Sequence, residues 1–107
     1  MILVHQRYFA KPGLRERVIE TRVEASRRLA ALGVPAGSIW TPVRDDPALS
    51  VADAPDVVWE CTYPDLVERE RIRALQEGDP VFHRIRMRQG AQLDRWVREH
   101  YRLVDWT

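Results

Sequence analysis

Val57-Val58-Trp59-Glu60-Cys61-Thr62-Tyr63, followed at once by Pro64-Asp65, decides how the rest of the chain is read. A run rich in β-branched and aromatic residues, ended by a proline that cannot donate to a ladder, reads as a β-strand. Its alternate residues are apolar in both sets: Val57, Trp59 and Tyr63 on one side, Val58 on the other. A sheet apolar on both faces must be covered on both.

Residues 2–10, ILVHQRYFA, repeat that pattern, with Leu3 and Phe9 set against Ile2, Val4 and Tyr8, and read as the first strand. Lys11-Pro12-Gly13 stops it. From Leu14 to Leu32 the period changes, with Leu14, Val18, Ala25, Leu29 and Leu32 near one helical stripe and Arg15, Glu16, Glu20, Arg27 and Arg28 opposite. Gly33 ends that helix and Pro35 follows. Ser38 to Val43 reads as a second strand, placed at an edge by Pro42. Residues 44–56, with their aspartates and prolines, read as a loop. Asp65 caps a second helix, with Glu68 at the capping-box position, reaching about Glu77. Gly78 and Pro80 interrupt it, and residues 80–92 read as helix again, with Val81, Phe82 and Ile85 apolar. The stretch 94–105 fits a continued helix or a strand in which Val97, Glu99, Tyr101 and Leu103 alternate with Trp96, Arg98, His100 and Arg102; the strand is preferred.

The order is β-α-β-β-α-β, a ferredoxin-like α+β fold with a four-stranded antiparallel sheet, in one domain over 1–107. The first and third strands are expected at the centre, parallel to each other, with the helices on one face. The bare face then calls for a second copy packed sheet to sheet, a homodimer. An isolated monomer is the alternative, with His5, Arg7, Glu60 and Thr62 making that face polar.

Composition narrows function by exclusion. Net charge is +1, from 17 basic and 16 acidic residues, which leaves no electrostatic footprint for nucleic acid or an anionic membrane. The alternating charges Arg15 to Glu24, Arg22 among them, and Glu68 to Arg71, Arg69 among them, read as wet helix faces. Glu60 also stands where an RNA-binding strand of this topology needs positive charge. The single cysteine, Cys61, rules out an intrachain disulfide and fits a reducing cytoplasm. The first residues do not read as a signal peptide, and no apolar run approaches the roughly 20 residues of a membrane span. Three scattered histidines make no metal-ligand pattern, so no metal is expected.

Arg7-Tyr8-Phe9-Ala10-Lys11-Pro12-Gly13 running into a helix resembles the start of NIPSNAP-like proteins of the dimeric α+β barrel superfamily. Val58-Trp59-Glu60-Cys61-Thr62-Tyr63-Pro64-Asp65-Leu66, then Glu68-Arg69-Glu70 and Gly78-Asp79-Pro80-Val81-Phe82, resemble their second half. The resemblance covers most of the chain and is weakest over 44–56 and at the C-terminal end. It implies the fold and the dimer, and little chemistry, since NIPSNAP-like proteins have no settled reaction. The superfamily also holds cofactor-free monooxygenases of antibiotic biosynthesis and haem-degrading monooxygenases, with pockets between sheet and helices. The haem-degrading members use an asparagine, a tryptophan and a histidine. This chain has no asparagine, and His83 directly follows Phe82 where that histidine is expected further along the helix. No cofactor is therefore expected.

The candidate ligand pocket is Tyr8, Trp59 and Phe82, with His83 as the acid–base group of a cofactor-free enzyme or else a surface residue. His5 and Arg7 share one face of the first strand, and Glu60 lies on the third. If they meet, they bind a polar substrate or form a satisfied cluster in the dimer interface. Cys61 reads as a small core residue. The functional expectation is a small apolar or aromatic ligand; the alternative is a non-catalytic homodimeric interaction module.

Overall fold

The computed structural model describes residues 1–107. In chain order it contains β1 (Ile2–Ala10), α1 (Arg15–Ala31), β2 (Ser38–Trp40), β3 (Val57–Tyr63), α2 (Leu66–Glu77), α3 (Pro80–Ala91) and β4 (Leu93–Arg102). A single turn of 3₁₀ helix, Pro47–Leu49, interrupts the long loop before β3. The strands form one sheet in the order β2-β3-β1-β4, with every neighbouring pair antiparallel.

β1 and β3 occupy the centre, but they run antiparallel, with Ile2 opposite Tyr63 and Tyr8 opposite Val57. The expected parallel pairing is corrected by topology. The α1 crossover returns the chain so that β2 runs with β1, and β3 inserts between them and must oppose both. β2 is cut to Ser38–Trp40 and pairs only with β3, so Pro42 lies beyond the edge strand. The C-terminal stretch is a strand, pairing with β1 from Ile2–Arg102 to Ala10–Leu93 with one irregularity at Phe9/Ala10.

The pleat of β1 sorts its residues. Ile2, Val4, Gln6 and Tyr8 are buried under the helices, while Leu3, His5, Arg7 and Phe9 are half-buried on the open face. Across the ladder Val57, Trp59, Cys61 and Tyr63 join the helix side. Val4, Val18, Leu29, Val57 and Ile72 are almost wholly shielded and, with Tyr8, Trp59, Tyr63 and Phe82, form the core. α1 buries Val18, Thr21, Arg22, Ala25 and Leu29, a spacing of three and four residues. Asp65 caps α2 by accepting the Glu68 N–H at 2.8 Å, while the Glu68 carboxylate binds Arg71 instead of turning back to the cap. No helix is long and apolar enough to cross a membrane.

Gly37 fixes the approach to β2. Its φ is +74°, and a Cβ there would stand 2.6 Å from the Glu60 carbonyl oxygen and 2.4 Å from Trp59 Nε1. The same indole N–H donates to the Ala36 carbonyl at 2.9 Å. Gly37→Ala should cost about 2–4 kcal/mol, from left-handed backbone strain plus a contact that rigid neighbours cannot relieve. Urea unfolding checks this; a loss under about 0.5 kcal/mol would mean that the segment is free to shift.

Candidate functional site

A recess of about 180 Å³ lies between the helices and the covered face of the sheet. Tyr8 and Gln6 reach it from β1, Trp59 and Tyr63 from β3, and Phe82 from α3. Three of the expected ligand residues, Tyr8, Trp59 and Phe82, thus come together. The Tyr8 hydroxyl donates to Gln6 Oε1 at 2.5 Å and accepts from Arg22 Nη1 at 3.4 Å.

His83 is not among the lining residues. One step along α3 from Phe82 rotates the side chain by about 100°, and it borders a surface groove with Met87 that adjoins the recess through the shared residues Gln76, Glu77 and Arg86. His5 and Glu60 lie on the far side of the sheet. They are register partners, and His5 Nδ1 donates to Glu60 Oε1 at 2.8 Å. Beside them Arg7 Nε lies 3.2 Å from Glu99 Oε1, which sits opposite His5 on β4. These candidates therefore form two groups divided by the sheet, with His83 on the helix side but outside the recess, in the groove that adjoins it.

The sequence reading missed the arginines. Arg22 and Arg69, assigned to wet helix faces, are each only 6% exposed and line the recess. Arg22 continues the stripe Val18, Ala25 and Leu29, and Arg69 lies three residues before the buried Ile72. Position on the helix, not residue type, was the available signal. Each guanidinium lies over an aromatic ring: Arg22 over Trp59 at 4.6 Å, Arg69 over Tyr63 at 5.4 Å, and Arg98 over Trp96 at 5.1 Å. Burial, then the charges of Arg69 and Arg86, draw Arg98 below its ordinary value.

Nucleophiles near the recess are suppressed. Burial pushes the Cys61 thiol up, and burial with a hydrogen bond to Cys61 pushes the Tyr63 phenol up. No group of three or more histidine, cysteine, aspartate or glutamate side chains is placed to hold a metal ion.

No protein-family model matches the sequence, and no curated protein matches it. Solved structures do. An uncharacterised NIPSNAP domain protein from Burkholderia xenovorans aligns with a TM-score of 0.73 at 14% identity, over 100% of this chain and 98% of that one. A NIPSNAP family protein from Agrobacterium tumefaciens aligns at 0.69 and 12% identity, over 99% and 88%. An antibiotic biosynthesis monooxygenase aligns at 0.68 and 15% identity, over 98% and 100%. The chain has the ferredoxin-like fold of these proteins. At such identity the likeness is one of fold.

One ion pair sets the recess wall in place. Asp79 accepts from Arg28 Nε and Nη2 at 2.8 and 2.7 Å, and from the Phe82 backbone N–H at 2.8 Å. It thereby ties α1 to the first turn of α3, where Phe82 sits. The Arg28 hydrogen bonds hold the Asp79 carboxyl down at about 2, below its ordinary 3.8. A carboxyl lowered on folding stabilises fully above its unfolded value and loses that contribution as pH falls through the folded one. Asp79→Asn should therefore lower Tm at pH 7, with the gap to the unmodified protein closing between about pH 4 and pH 2. Thermal melts across that range check it; a gap independent of pH would contradict the ion pair.

Proposed function

We propose that this protein binds a small apolar or aromatic molecule in the recess between sheet and helices, as a homodimer closed across the open sheet face. The convergence of Tyr8, Trp59 and Phe82 on unfilled space carries the reading. An apolar cavity of about 150 Å³ accepts benzene, so about 180 Å³ suits one ring with a small substituent.

Binding without turnover fits the lining better than catalysis, because His83 stands outside it and Cys61 and Tyr63 hold their protons. Cofactor-free monooxygenase-like turnover is the second reading. It is favoured by the fold shared with an antibiotic biosynthesis monooxygenase. A purely structural interaction module would instead use the open face alone.

The dimer reading rests on that face. Leu3, Phe9, Val58 and Val97 are half-buried there, and Trp40 is 57% exposed. Its polar groups meet one another, His5 hydrogen-bonded to Glu60 and Arg7 beside Glu99, so each has a partner when the face is covered. Val58→Arg, at the centre of the face, should convert the dimer to monomer in sedimentation equilibrium at micromolar concentration. A wild-type protein already monomeric there would remove the dimer.

Gly90 lines the recess, and a Cβ at that position meets nothing within 4 Å. Gly90→Leu should obstruct the recess while strengthening α3 by about 0.5–1 kcal/mol. In a tryptophan-fluorescence screen of single-ring aromatic compounds, hits on the unmodified protein should be lost in the variant. Absence of any hit, or hits unaffected by Gly90→Leu, would refute the recess as the binding site.

A further inference from the structure

We infer that the ligand of this recess is an aromatic carboxylate, with its ring among Tyr8, Trp59 and Phe82 and its carboxylate held by Arg22, Arg69 and Arg98. The inference rests on the small-molecule reading above and adds the charge of the molecule.

The lining carries five arginines and one carboxylate, Glu77. That carboxylate is already bound by Arg73. Arg22, Arg69 and Arg98 form no ion pair with any side chain of the protein. Arg22 Nε, Arg69 Nε and Nη1, and Arg98 Nε are buried and donate to nothing. Buried charges in proteins are ordinarily paired, because an unpaired one forfeits its hydration. A guanidinium keeps its proton, so it does not escape that cost by neutralising. Three of them around one space leave a positive field that the fold itself does not answer.

Their arrangement is built. Each guanidinium sits near a ring: Arg22 of α1 by Trp59 and Arg69 of α2 by Tyr63, both rings on β3, and Arg98 by Trp96 within β4. Arg22 donates from Nη1 to the Tyr8 hydroxyl and from Nη2 to Ser26 Oγ, which holds its guanidinium in place with Nε still free, while Arg69 keeps both Nε and Nη1 free to donate to a planar carboxylate. Tyr8, Trp59 and Phe82 supply apolar contact alongside. A neutral ring would fill the apolar part and leave the three charges unanswered. The recess holds one ring, so the simplest probe of this class is benzoate, and benzamide is its uncharged match in shape.

The test is an NMR titration of the ¹⁵N-labelled protein with benzoate and with benzamide, following the indole N–H signals of Trp59 and Trp96. Benzoate should bind at least about tenfold tighter, as expected for charge-assisted hydrogen bonds, and weaken as salt rises. Arg69→Met should abolish the preference. Because it removes a stranded charge, it should also melt no lower than the unmodified protein. Equal binding of the two probes would leave the recess as a ligand site and overturn the carboxylate. A preference that survives Arg69→Met, or a marked fall in its melting temperature, would also overturn it by making Arg69 a packing residue. Failure of both probes to bind would count against the small-molecule reading itself.

Discussion

The antiparallel pairing of β1 with β3 is the constraint on which the other placements depend. Its register, Ile2 on Tyr63 through Tyr8 on Val57, fixes the face of every residue in both strands. Gln6, Tyr8, Trp59 and Tyr63 are thereby committed to the helices, and His5, Arg7, Val58 and Glu60 to the other side. A slip of one residue would exchange the sets, putting the His5–Glu60 pair in the core and Trp59 outside. The sheet is thus a partition between two chemistries: a cation-rich recess and a mixed apolar surface whose polar groups pair locally.

The helices complete the recess without filling it. α1 sends Arg22 inward along its buried stripe, α2 sends Arg69 and Arg73, and α3 contributes Phe82 and Ile85. Asp79 holds the start of α3 against Arg28 of α1. Aromatic rings beneath the guanidinium groups offset part of the cost of their burial through the ring quadrupole. The remainder is carried by the fold, which is tolerable in a domain whose core cluster includes Val4, Leu29, Val57 and Ile72.

Much of this was legible in the sequence, for stated reasons. Period-two strands at 2–10 and 57–63, the Lys11-Pro12-Gly13 stop and the Asp65 cap are local signals, and local signals survive folding. Three features were not local. The direction of β1 against β3 follows from the path of the whole chain. The separation of Phe82 from His83 turns on one helical step, which adjacency in sequence conceals. Arg22 and Arg69 were hidden by the alternating charges around them, although both lie at core-facing spacing on their helices. His5 and Glu60 could be placed on neighbouring strands, but only the register shows that they meet.

The tether of the Trp59 indole to the Ala36 carbonyl, with Gly37 leaving no space behind it, has a thermodynamic corollary. This buried indole of the recess cannot swing, so its ordering entropy is spent at folding and not when a guest arrives. The contour of the chamber is consequently preorganised, and discrimination among guests falls to fit and charge more than to adaptation.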